Sequence, residues 1–168
     1  MTVRRKLVFT AIVAALAWSG MARAAEHRWT TYANPRFGAA ADYPAELFTV
    51  RDRPPENGDG QTFHTADNRA ALSVFGTNNV EEDSPGSYVG KYFKGPEVTY
   101  KHVTRRYFVV SGARNGEIFY QRCNFPAAAD GAIVCVNLTY PEREKAQWDA
   151  IVTRISKSLR VDDHGVRQ

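Results

Sequence analysis

The sequence predicts an α+β domain in which a mainly antiparallel sheet is covered by helices. Three observations predict it. Beyond residue 27, short runs alternate apolar and polar side chains and are separated by turn-forming residues. Only two segments break into a helical period, a short one near 84–93 and a longer one from 141. The order of these pieces lacks the regular strand–helix alternation of a doubly wound fold.

The elements follow in chain order. Arg4, Arg5 and Lys6 open the chain, residues 7–18 are almost wholly apolar, and Ala22-Arg23-Ala24 has the small-residue spacing of a cleavage site. This order predicts a cleaved secretory signal over 1–24. The apolar run is well short of the roughly 20 residues that cross a bilayer as a helix. No cysteine stands at the end of the leader, and no later run is apolar for long enough to span. The expectation is a mature domain over 25–160, periplasmic or secreted and without a transmembrane segment, followed by a flexible tail over 161–168. Four of the 22 basic residues belong to the leader and none of the 18 acidic ones, so the mature chain balances 18 against 18. That balance offers nucleic acid or anionic lipid no overall basic excess.

Residues 28–33 and 37–43 read as strands around the Asn34-Pro35 turn, and 47–50 as a third extended piece. The stretch 51–60 (RDRPPENGDG) is a polar loop with two prolines and two glycines. Residues 61–65 and 70–76 form a hairpin through Asp67-Asn68, and the second strand is expected to be buried on both faces. Ser84 or Ser87 caps a short helix that sets Tyr88, Val89, Tyr92 and Phe93 on one stripe. Residues 97–103 and 107–111 follow as strands, the first half-buried by its Val98, Tyr100, His102 alternation.

Residues 117–125 and 132–140 alternate on either side of a turn over 126–131. Cys123 and Cys135, the only two cysteines, fall opposite each other if the hairpin pairs Tyr120 with Leu138, Ile118 with Tyr140 and Arg122 with Val136. A slip of one residue would scramble that sorting, so a single register explains both the apolar face and a disulfide. Finally, Pro141, Glu142 and Glu144 suit a helix start, and Trp148, Ile151, Val152, Ile155 and Leu159 recur at helical spacing. This helix is expected to cover the face that holds Tyr120, Val136 and Leu138.

Catalytic chemistry finds little support. Asn57, Asp59 and Gly60 faintly echo a calcium loop, but Pro55 and Ala66 occupy its first and twelfth ligand positions. The four histidines have no metal-ligand spacing, and no nucleotide loop or nucleophile elbow is present. No catalytic residue, metal or cofactor is therefore assigned. Arg53, His64 and Asp67, in and beside the 51–67 loop, are the candidate ligand residues. The Arg105-Arg106 pair, with Arg114 downstream, reads more simply as a solvated turn than as an anion site.

With these elements in place, the stretch 37–50 (FGAAADYPAELFTV) resembles the opening of the Mog1/PsbP-like group, a strand followed by Tyr-Pro and an aromatic. The stretch 140–160 (YPEREKAQWDAIVTRISKSLR) resembles its closing helix. More broadly, 29–160 is similar to small exported bacterial proteins of unassigned function. The resemblance implies an antiparallel sheet between helices, an α/β/α sandwich, in a group that characteristically works as accessory or protein-binding modules. Two readings follow. The first is a non-catalytic module that binds an envelope protein. The alternative is a small periplasmic hydrolase or ligand-binding protein using the 51–67 loop, which requires Arg53, His64 and Asp67 to converge on one pocket.

Overall fold

The hairpin that carries the cysteines forms in the register that alternation demands. In a computed structural model, which describes residues 27–127 and 131–162, β8 (Glu117–Asn124) pairs antiparallel with β9 (Ala132–Pro141). Cys123 stands opposite Cys135, Tyr120 opposite Leu138, Ile118 opposite Tyr140 and Arg122 opposite Val136. The two cysteines are joined in a disulfide with their Cα atoms 4.1 Å apart. The leader over 1–24, residues 163–168 and positions 128–130 of the hairpin turn lie outside the described residues.

This hairpin sits inside a seven-stranded antiparallel sheet. The remaining strands are β3 (Val50–Arg51), β4 (Gly60–His64), β5 (Ala71–Asn78), β6 (Val98–Val103) and β7 (Tyr107–Arg114), in the order β3-β4-β5-β9-β8-β7-β6. A smaller sheet joins β1 (Trp29–Ala33), β2 (Ala39–Pro44) and β10 (Arg160–Val161), with β2 central. Two helices complete the described residues: α1 (Pro85–Tyr92) and α2 (Lys145–Ser158), the latter entered through a 3-10 turn over Glu142–Glu144.

Two apolar clusters lie on opposite faces of the large sheet. On one face α2 and the small sheet bury Leu72, Val74, Val136, Leu138, Trp148, Ile151 and Ile155. The closing helix thus covers the face the sequence assigns to it. Phe37 packs so closely on Gly76 of β5 that a Cβ there would lie 2.3 Å from its own Cβ. On the other face α1 covers Phe108, Val110, Ile133 and the disulfide through Val89 and Tyr88. Ser84 is the N-cap and Ser87 completes a reciprocal capping box, so both candidate serines take part.

Several sequence expectations shift. The extended piece over 47–50 shrinks to Val50–Arg51, because Leu47 and Phe48 close a turn on Pro44. Strand β5 is fully buried on one face only, at Leu72, Val74 and Gly76. Tyr92 leaves the helix stripe and is 56% exposed. Pro141 ends β9 rather than starting the helix. Strand β6 is not half-buried: beyond Val98 every residue is exposed, because the strand is the sheet's edge and no helix among the described residues lies over it. Val161, where the tail was expected to begin, pairs with Ala39.

Candidate functional site

The 51–67 segment makes a shallow polar hollow of about 390 Å³. Pro54 and Pro55 carry the chain away from β3, and Asp52, Arg53, Thr62, Ser73 and Asn137 line the depression. The hydroxyls of Thr62 and Ser73 lie 2.8 Å apart and satisfy each other. His64 Nε2 lies 3.0 Å from Asp52 Oδ2. Asp67 belongs elsewhere. It accepts from Thr65 Oγ1 at 2.7 Å and from Arg69 Nε at 2.6 Å, and these bonds hold its carboxyl down at about 2. Arg69 in turn bonds Glu144, and Asp67 faces the depression beside Leu47 and Trp148. The three candidate residues therefore do not converge. Arg53 lines the hollow, His64 is tied to Asp52, and Asp67 anchors a turn to the entrance of α2. Their sequence proximity misleads because β4 and its turn carry them in different directions.

The larger concavity is at the other end of the sheet. Seven strands about 4.8 Å apart span roughly 29 Å, while one helix is only about 10 Å across. Helix α2 and the small sheet cover the strands from β4 to β9 and leave β6, β7 and the outer part of β8 bare. A groove of about 660 Å³ remains between α2 and this bare end. Tyr100, Ser111, Tyr120, Tyr140, Asp149 and Val152 are among its walls. Its floor is low because β7 contributes Ser111, Gly112 and Ala113, the smallest run in the strand. Gly112 is required there, since a Cβ would sit 1.9 Å from the Glu97 carbonyl oxygen. The same crossing displaces the register of β6 between Val98 and Tyr100.

Two of the three tyrosines are fixed. Tyr120 Oη and Ser156 Oγ are 2.6 Å apart, joining the sheet to α2. Tyr140 stacks on Trp148 at 5.5 Å between centroids. Burial, reinforced by the Asp149 carboxylate and Tyr120, pushes the Tyr140 phenol up to about 12. Tyr100, by contrast, is 53% exposed on the edge strand. Its row runs Tyr100, Ser111, Tyr120, Leu138, so one line of side chains passes from bare edge to closed core. Nearby, Arg122 stacks on Tyr107 at 4.3 Å. The sequence held a signal for this site: tyrosines on one parity of three strands, beside a run of small residues.

Such a surface offers aromatic contact and hydrogen bonding. Among the described residues no group of three or more His, Cys, Asp or Glu could hold a metal. None of the helices among them is long and apolar enough to cross a membrane.

No family model matches the chain, and no curated protein matches it. Solved structures do. The solution structure of cyanobacterial PsbP (CyanoP) from Synechocystis sp. PCC 6803 superposes with a TM-score of 0.59 at 12% identity, over 84% of this chain and 95% of that one. The crystal structure of the Saccharomyces cerevisiae Ran-binding protein Mog1p matches with a TM-score of 0.48 at 10% identity, over 82% and 97%. The fold is Mog1/PsbP-like: mostly antiparallel sheets with two helices, with one Cys123–Cys135 disulfide across a hairpin.

Proposed function

We propose that this chain is an exported, non-catalytic accessory module that binds a protein partner in the periplasm or outside the cell, and that it does so through the groove between α2 and β6–β8. The observation that carries the reading is the row through Tyr120, Ser111 and Tyr100 that leads from the core to the sheet edge, with Tyr140 beside it in the groove wall. Tyrosine provides a large contact area, a polar tip and little conformational entropy to lose, which is what interface centres select. The PsbP-like fold is consistent with an accessory or binding role. Export rests on the leader read over 1–24, and the disulfide supports an oxidising destination. The alternative site in the 51–67 loop loses its main support with the separation of Arg53, His64 and Asp67.

The test is site-specific photo-cross-linking in cells. A benzophenone amino acid at Tyr100 is compared with one at Val50, which is 45% exposed on the opposite edge strand. The expected result is a discrete adduct in the envelope fraction from position 100 and none from position 50. Adducts from neither position, or a cytosolic protein that keeps Met1, contradict the reading.

A further inference from the structure

We infer that the partner supplies an extended acidic segment that adds to β6 as an eighth strand, with alternate side chains entering the tyrosine groove. The inference rests on the reading that this end of the molecule binds protein, and goes beyond it to the chemistry and conformation of what is bound. Edge strand β6 runs for six residues, and among the described residues one side of its backbone faces no strand. An added strand satisfies such groups, while side-chain pockets at every second position give selectivity. The side-chain alternation of β6 provides those positions. Tyr100 shares the groove face with Ser111 and Tyr120, and Lys101 points to the opposite face with Val110. An incoming strand therefore sets one row of side chains against the tyrosine groove and the other against Lys101.

Charge selects the sign of that second row. Residues 94–124 hold six basic side chains against only Glu97 and Glu117, in a mature chain that is otherwise acidic on balance. Lys94, Lys101, Arg105 and Arg106 are exposed and pair with no carboxylate among the described residues. The arginines of the β6–β7 turn, a solvated turn by sequence, stand just past the end of the edge strand. Of these cations, Lys101 would face its own kind in a second copy docking antiparallel about it, which is destabilising across a strand pair. An acidic segment meets them with opposite charge.

The test uses the full mature, disulfide-bonded protein labelled with nitrogen-15. The probe is a capped nonapeptide alternating valine and glutamate. Controls are the valine–lysine counterpart, a twelve-nucleotide oligothymidylate and phosphatidylglycerol vesicles. The valine–glutamate peptide is expected to slow hydrogen exchange at the β6 amides that point away from β7 and to bind about tenfold or more tightly than its lysine counterpart, as charge complementarity predicts. Binding weakens as salt is added. Lys101→Glu with Arg105→Glu, both at exposed positions, reverses the peptide preference without unfolding the chain. Equal binding of the two peptides overturns the inference. So does tighter binding of the oligonucleotide or vesicles, or a concentration-dependent dimer that protects β6. Adducts from Tyr100 to a protein partner without protection of β6 overturn strand addition while leaving protein binding at this groove standing.

Discussion

The two edges of the seven-stranded sheet are managed differently. At one edge β3 is only two residues long. Its Arg51 reaches the Gln61 side chain at 2.8 Å and lies 5.7 Å from the ring centres of both Tyr32 and Phe63. The small sheet packs alongside, with Tyr43 4.6 Å from Phe63 between ring centroids. That edge is short, one of the ordinary protections against unwanted pairing. At the other edge β6 is three times as long, bare on its outer side, and guarded only by a register shift and by cations. Two residues offer an added strand little backbone to pair with. A cationic guard excludes copies of itself and leaves the edge open to an anionic one. The contrast is the reason the proposed binding is placed at the end where the cover stops.

Four substitutions or titrations sharpen the comparison. The largest effect belongs to the closed half. Ile155 is fully buried under α2, and Ile155→Ala should lower unfolding stability by about 2–5 kcal/mol in urea titration. A loss below about 1 kcal/mol would mean that α2 does not hold the sheet as described. Replacing both Cys123 and Cys135 by serine should cost about 3 kcal/mol, read from the same titration. An unchanged midpoint would show that the cross-link constrains little.

The third prediction lies at the boundary between the halves. Folding raises the Tyr140 phenol from its ordinary value near 10 to about 12. Below the lower value both states are neutral and the group contributes no pH dependence. Between the two values the unfolded chain releases the proton and the folded one keeps it, so stability falls as pH rises through that window. Tyr140→Phe should flatten that part of the stability–pH curve. An unaltered slope assigns the alkaline loss to other groups. The smallest effect on stability belongs to the open end. Tyr100→Ala should change the unfolding free energy read from urea titration by no more than about 0.5 kcal/mol, yet it should abolish partner binding. A large stability loss there would make Tyr100 a core residue instead.

Much of the closed half was legible in the sequence because its pattern is strict. The β8–β9 register followed from alternation, and the α2 face followed from the spacing of Trp148, Ile151, Val152 and Ile155. Strand β10 was not legible: two residues, Arg160 and Val161, are too few to show a period. The exposure of β6 was missed for a different reason. Its Val98, Tyr100, His102 alternation is what a half-buried strand shows, and only the strand order reveals that, among the described residues, no element covers the strand beyond Val98. The groove shares that cause. Tyr100, Ser111 and Tyr120 are far apart in sequence and meet through pairing across β6, β7 and β8. The 51–67 loop attracted attention because polar residues cluster there in sequence, but the β4–β5 hairpin separates them in space.

Amide hydrogen exchange on the isolated mature protein tests the open edge most directly. The β6 amides pointing away from β7 should exchange at rates close to those of solvated backbone, while the central amides of β9 exchange only on global unfolding. Protection of those β6 amides matching that of β9, in the protein alone and independent of its concentration, would mean that the chain already covers its own edge and that no partner is awaited there.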